Sequence, residues 1–187
     1  MSVRAILDWL WAILGLYWVV TALRTKRSAT QEKSWYRLLR LGLLAAMLLL
    51  LLTKALRVGP LAWRFVPHSL GLVWVGVVLT AVGVALAICA RWHLGQNWSD
   101  KVVLKVDHEL IRSGPYAYLR HPIYSGVLLA VAGTALVIGE WRGVVAFALI
   151  STNYCLKAIK EERMLVVKFG GEFLEHKRRT GFFLPGI

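Results

Sequence analysis

Residues 70–90 run for 21 positions without a charged side chain. At 1.5 Å per helical residue, that block covers about 30 Å, the thickness of a bilayer's hydrocarbon core. A helix that is apolar all round has no face to offer water, and in lipid only helices and closed barrels satisfy their own backbone. Four more apolar blocks accompany it, at about residues 6–23, 38–53, 122–138 and 144–156. With 58% apolar residues in 187 and a mean hydropathy of +0.59, the expected fold is an all-α integral membrane protein with five transmembrane helices.

The blocks carry their own boundary signals. Trp9, Trp11, Tyr17 and Trp18 weight the ends of the first, as interfacial aromatics do, and Asp8 is expected in its first turn. Arg40, near the start of the second, is placed to snorkel to the interface. Pro60 and Pro67 mark a turn after it. In the third, Gly76/Thr80 and Gly83/Ala87 give small-xxx-small spacings, matched by Gly126, Ala130 and Thr134 in the fourth, a pattern that serves close helix packing. Pro122 suits the first position of the fourth helix. Residues 139–143 read as a tight turn that makes the last two spans a helical hairpin, and the fifth span continues as a charged helix to Gly170-Gly171. Residues 91–99 read as loop and 101–106 as a short extended piece.

The net charge of +13 raises the question of nucleic acid, but the aromatic residues lie inside apolar blocks rather than on a basic groove. Five spans divide the 23 Lys and Arg residues as 18 on one side and 5 on the other. That bias places the N-terminus outside and the C-terminus in the cytoplasm. Cys89 and Cys155 have no metal-ligand or Cys-x-x-Cys spacing and read as small packers, and no metal site is expected. No signal peptide is expected, because the first block runs into a basic loop rather than a small-residue cleavage site. The middles of the five spans hold no ionisable residue, which argues against a transporter.

Polar and aromatic residues concentrate instead in residues 107–126, which hold His108, His121, Tyr116, Tyr118 and Tyr124. On the charged helix, Ala158, Glu161, Glu162, Leu165 and Phe169 share one face, opposite Lys160, Arg163 and Val167. Two readings of Glu161 stand at this point. It forms a local ion pair with Lys157 at i−4, or it faces an interior site beside residues 107–126 where a cationic ligand partners it. His121 likewise reads either as a helix-start histidine satisfied by backbone or as a site residue.

The run Ser113-Gly-Pro-Tyr-Ala-Tyr-Leu-Arg-His-Pro-Ile-Tyr-Ser-Gly126, with Glu161-Glu162 and Phe169-Gly170 downstream, resembles the isoprenylcysteine carboxyl methyltransferase family. Leu94-Gly-Gln-Asn-Trp-Ser99 and His108-Glu-Leu-Ile111 resemble its prokaryotic branch, and the likeness covers residue 91 to the C-terminus. It implies an S-adenosylmethionine-dependent membrane enzyme, placed in a prokaryotic inner membrane, with residues 1–90 as a three-span scaffold and 91–187 as the catalytic half. It further implies that His108, Glu109, Leu110, Ile111, Tyr116, His121, Pro122, Ile123, Tyr124 and Glu161 line the cofactor. Lys157, Glu161 and His121 become the candidate catalytic residues. Lys157 stands where the family has a substrate-binding arginine, so the charge is kept and the bidentate fork is lost. Arg112, or backbone N–H groups at the start of the fourth span, would hold the cofactor's carboxylate, and Tyr116 or Tyr124 would stack on its adenine or face its sulfonium. The expected partners are a lipid-soluble methyl acceptor, with a prenylcysteine carboxylate leading, and membrane lipids, but no nucleic acid. The rival readings are a phospholipid N-methyltransferase, an NADPH-dependent membrane reductase, and a non-enzymatic transporter or scaffold.

Overall fold

Glycine and threonine decide how the helices meet. The computed structural model describes residues 2–22, 34–95 and 109–186. Its helices are α1 (Val3–Ala22), α2 (Ser34–Leu52), α3 (Leu70–Leu94), α4 (Pro122–Ile138), α5 (Trp141–Phe169) and α6 (Gly171–Arg179), with 3₁₀ turns at Gly59–Ala62 and Gly114–Ala117. The most extensive contact joins α3 to α4. There a Cβ on Gly76 would lie 2.6 Å from the Gly133 carbonyl, and one on Gly126 would lie 2.6 Å from the Ala87 nitrogen. The small-residue spacing therefore does what it promises: it lets two backbones touch. Thr80 and Thr134 sit in the same seam, bonding the carbonyls four residues back at 2.8 and 2.9 Å, and Trp11 of α1 donates to Thr134 at 3.1 Å.

A second seam joins α2 to α5. Met47, Leu50 and Leu51 form a buried cluster with Ala146 and Ile150. At one end of this seam Arg142 donates to the carbonyls of Leu50 and Thr53 at 2.8 and 2.7 Å, acceptors that the end of α2 leaves without helical partners. Arg142 also meets Glu140 at 2.8 Å, and Arg57 meets the same carboxylate at 2.8 Å. The expected 139–143 turn is shorter than its sequence suggests. Only Gly139, in the left-handed region at φ 66°, and Glu140 lie outside the helices, because this buried ion cluster lets α5 start at Trp141.

At the opposite end, buried Arg91 ties α3 to α1 by donating to the Thr21 carbonyl at 2.9 Å. Arg91 is still helical, so α3 extends one turn beyond the expected span. Arg40 is 6% exposed, with its guanidinium 5.6 Å from the centre of the Tyr36 ring, one turn nearer the start of α2. Asp8 lies beyond the first turn of α1, exposed and 4.0 Å from Arg4.

By length and composition α1, α2 and α3 can cross a membrane, and α4 is a shorter apolar helix of 17 residues. Their outward faces carry Leu16, Val19, Leu38, Leu49, Val78 and Val82, all exposed, which suits lipid rather than water. The 29 residues of α5 cover about 43 Å, longer than a hydrocarbon core of about 30 Å. Its C-terminal turns, with α6 and the chain that follows, surround the polar end of the bundle. The basic loop at residues 24–33 and the 101–106 piece lie outside the described residues.

Candidate active site

The site is built where four segments meet: the 3₁₀ turn at Gly114–Ala117, the start of α4, the polar third of α5, and the chain after α6. Gly114 shapes the first of these. Its φ of 56° is left-handed, and a Cβ there would collide with the His93 ring. The turn buries Tyr116, and Pro122 then opens α4, fixing His121 at its cap and Tyr124 in its first turn. Beyond α6 the chain returns to this stretch: Arg120 N–H donates to the Gly181 carbonyl at 2.9 Å, Gly181 N–H to Tyr118 at 3.0 Å, and Ser125 Oγ to Phe183 at 2.7 Å.

The paired glutamates have different surroundings. Tyr124 donates its hydroxyl between both oxygens of Glu161, at 2.8 Å from each. Lys157 Nζ lies 3.9 Å from one of those oxygens and His121 Nδ1 lies 3.8 Å from the other. Glu161 nevertheless keeps 24% of its side chain accessible. Glu162 is closed off at 8%, and it accepts from Arg120 Nε and Lys177 Nζ, both at 2.6 Å, with His121 Nε2 at 3.4 Å. Burial works against the Glu162 carboxylate. The His121, Lys177 and Arg120 donors, with the Arg120 charge, outweigh it and hold its pKa at about 2. At 3.4 Å the His121 contact is the longest of these, so Arg120 and Lys177 anchor it. Glu162 is thus the structural carboxylate, tying α5 to α6 and to the segment before α4, and Glu161 is the one left open to a ligand.

His121 is not satisfied by backbone. It makes no side-chain cap bond, is 7% exposed, and stands between the two carboxylates. Its ring stacks on Tyr124 at 5.4 Å with 6° between planes, and Phe182 and Phe183 meet it edge-on at 5.1 and 6.1 Å. Tyr154 stacks on Tyr124 at 4.5 Å. Tyr124 is thus stacked against His121 and Tyr154, with Lys157 Nζ 5.3 Å from its ring centre, and its hydroxyl is turned to Glu161. Tyr116, whose phenol is pushed well above its ordinary value by burial and then by the Glu161 charge, is a neutral wall. Arg112 is exposed and forms an ion pair with Glu172 at the edge of the site.

The structure brings together Tyr116, His121, Ile123, Tyr124, Lys157 and Glu161. Tyr116, Ile123 and Tyr124 share a buried cluster with Ile111 at its edge, Pro122 is buried beside them, and Leu110 is half-buried. Glu109 is exposed and outside the cluster, and His108 lies outside the described residues. Arg120, Tyr154, Lys177, Phe182 and Phe183 escaped the sequence reading. Arg120 adjoins the His-Pro run and was within reach of it, whereas the others depend on where the chain returns.

A groove of about 510 Å³ shares Tyr154 with the same aromatic stack. It runs between α1 and α2 past Leu14, Trp18, Leu44 and Met47 and ends at Tyr154. Among the described residues no grouping of His, Cys, Asp and Glu fits a metal ion.

These features define a helical integral membrane protein with an aromatic-walled carboxylate site at one end of its bundle and an apolar groove that shares Tyr154 with it. The chain belongs to the isoprenylcysteine carboxyl methyltransferase family, whose sequence profile matches residues 74–167. The protein-S-isoprenylcysteine O-methyltransferase of Xenopus laevis is 30% identical over 116 residues, covering 60% of this chain and 40% of that protein. The Homo sapiens protein of the same name is 30% identical over 66% of this chain and 45% of its own length. The chain spans about half the length of the curated relatives it matches. Among solved structures, that of a eukaryotic intramembrane Ras methyltransferase, ICMT, superposes with a TM-score of 0.58. It is 21% identical and covers 85% of this chain and 55% of that one, a likeness of fold.

Proposed function

We propose that the chain is an S-adenosylmethionine-dependent methyltransferase that esterifies the carboxylate of a lipophilic, prenylcysteine-like acceptor. The observation that carries this reading is Glu161: a carboxylate oriented by Tyr124, flanked by buried His121 and Lys157, and still 24% accessible. S-adenosylmethionine, when bound, supplies an activated methyl group on a positively charged sulfur. The residues present suit it, since Glu161 offers an anion for its ammonium and the Tyr116, His121 and Ile123 cluster offers a dry wall. Lys157, 5% exposed, offers the acceptor carboxylate a cation one helical turn from Glu161. That carboxylate is ionised at neutral pH, so no general base is required, and the work left to the protein is alignment and exclusion of water. His121 serves as a positioning group that spans both glutamates.

In this reading five helices cross the membrane, with the N-terminus outside and the Glu161 end in the cytoplasm, where the water-soluble cofactor is available. The first three form the scaffold and residues 91–187 the methyl-transferring half. The sequence's likeness to the family's prokaryotic branch would make the membrane a prokaryotic inner one. The groove accepts the acceptor's apolar chain directly from the bilayer. The test is transfer of labelled methyl groups by the purified protein to S-prenylcysteine analogues and, in parallel, to ethanolamine phospholipids. Base-labile label on the prenylcysteine is expected. Base-stable label on the phospholipid alone would replace the reading with N-methylation, and NADPH binding without S-adenosylmethionine binding would replace it with a reductase.

A further inference from the structure

Along α5, Asn153, Lys157 and Glu161 are spaced at i, i+4 and i+8, so they form one edge of the helix. Asn153 lies one turn deeper than Lys157, next in sequence to Tyr154 at the inner end of the groove. It is only 4% exposed, and its amide oxygen is enclosed without a hydrogen-bond donor. Thr80 and Thr134 satisfy their hydroxyls by donating to the carbonyl four residues back, at 2.8 and 2.9 Å, whereas Asn153 Oδ1 and, two residues before it on α5, Ser151 Oγ find no partner among the described residues. A buried amide without a partner is unfavourable, and a leucine of similar volume at residue 153 would carry no such penalty. An enclosed acceptor one helical turn from the Lys157 cation, and adjoining the groove-lining Tyr154 in sequence, is placed to receive a donor from a molecule held there.

We infer that Asn153 is a substrate-binding residue whose amide oxygen receives an N–H from the acceptor. This rests on the methyl-transfer reading above. If Lys157 holds the acceptor's carboxylate, the donor one turn away belongs to an atom close to that carboxylate. An amide nitrogen on the α-carbon, two bonds from the carboxylate carbon, meets that description. Asn153 therefore selects α-amido acids, such as an N-acylated or peptide-terminal S-alkyl cysteine, over simple lipophilic carboxylates. Sites that hydrogen-bond a substrate N–H discriminate strongly against analogues lacking it, because the buried partner is then left unpaired.

The experiment compares two acceptors that differ only in that group, N-acetyl-S-prenylcysteine and S-prenyl-3-mercaptopropionate, with the full chain in detergent and labelled S-adenosylmethionine. Wild type is expected to prefer the amide acceptor by about tenfold in kcat/KM, the worth of one buried hydrogen bond, with the difference carried by KM. In Asn153→Leu the preference ratio falls to near one, because KM for the amide acceptor rises. Equal kcat/KM for the two acceptors in wild type, or an undiminished preference in Asn153→Leu, overturns the assignment and leaves the methyl-transfer reading standing. The wild-type comparison decides even if the variant does not fold. Turnover of neither acceptor by wild type contradicts the methyl-transfer reading itself, and the role of Asn153 with it.

Discussion

Replacing Glu162 with Gln keeps the side chain's shape and removes its charge, so it isolates what the ion cluster beneath the site contributes. In the folded protein Glu162 accepts from Arg120 and Lys177 at 2.6 Å each. Arg120, with 10% of its side chain accessible, has little solvent to turn to, whereas Lys177, at 46%, can swing into water. Loss of one member of a buried pair typically removes about 3–5 kcal/mol. The titration gives a second route to the magnitude. Lowering the carboxyl from its ordinary 4.5 to about 2 corresponds to about 3 kcal/mol at roughly 1.4 kcal/mol per pH unit. Screening around the half-exposed Lys177 reduces that to about 2–3 kcal/mol. Because the folded pKa is the lower one, this stability is fully present above pH 4.5 and is lost as the pH falls toward 2. The assay is thermal unfolding in detergent across that range. At neutral pH, Glu162→Gln should melt about 5–12 °C below wild type, and its midpoint should change less than wild type's between pH 4.5 and 2. A variant within about 1 °C of wild type at pH 7, or one with an unaltered acid limb, would refute the claim that Glu162 is the structural carboxylate.

Three further perturbations probe other parts of the account. Gly83→Ala places a methyl against the backbone of Ala130 and Gly126, so thermal unfolding should show a loss of about 1–3 kcal/mol, the range for overpacked cores. His176 is buried in α6, with its pKa lowered by burial and then by the charges of Arg112 and Arg120. Its contribution is therefore present above pH 6.5 and lost as the pH falls through the lowered value, and His176→Gln should flatten the melting profile between pH 7 and 5. Tyr124→Phe removes the hydroxyl that fixes Glu161, and S-adenosylhomocysteine affinity by calorimetry should fall about three- to tenfold.

Local order was legible because local rules produce it. The glycine and threonine spacings of residues 76–87 and 126–134 marked both helices for close packing, though not as each other's partner; Pro122 marked the start of α4, and Gly170 marked the end of α5. The helical face carrying Ala158, Glu161 and Glu162 was also readable, since period alone assigns it. Which glutamate does what was not. Glu162 is closed by Arg120, 42 residues away, and by Lys177, 15 residues away, and no periodicity encodes such pairings. The return of Phe182 and Phe183 onto His121 has the same origin. The 139–143 turn was misjudged because Glu140 and Arg142 are buried against Arg57 and the end of α2, a contact invisible in a five-residue window.

The central claim is that Glu161, open where Glu162 is closed, holds the cofactor's ammonium. Titrating S-adenosylhomocysteine into the purified protein by calorimetry tests it directly, with Glu161→Gln beside wild type. The account predicts binding to wild type and an affinity about 10- to 100-fold weaker in the variant, as expected for losing a charge-assisted hydrogen bond. Equal affinity in the two proteins would contradict it.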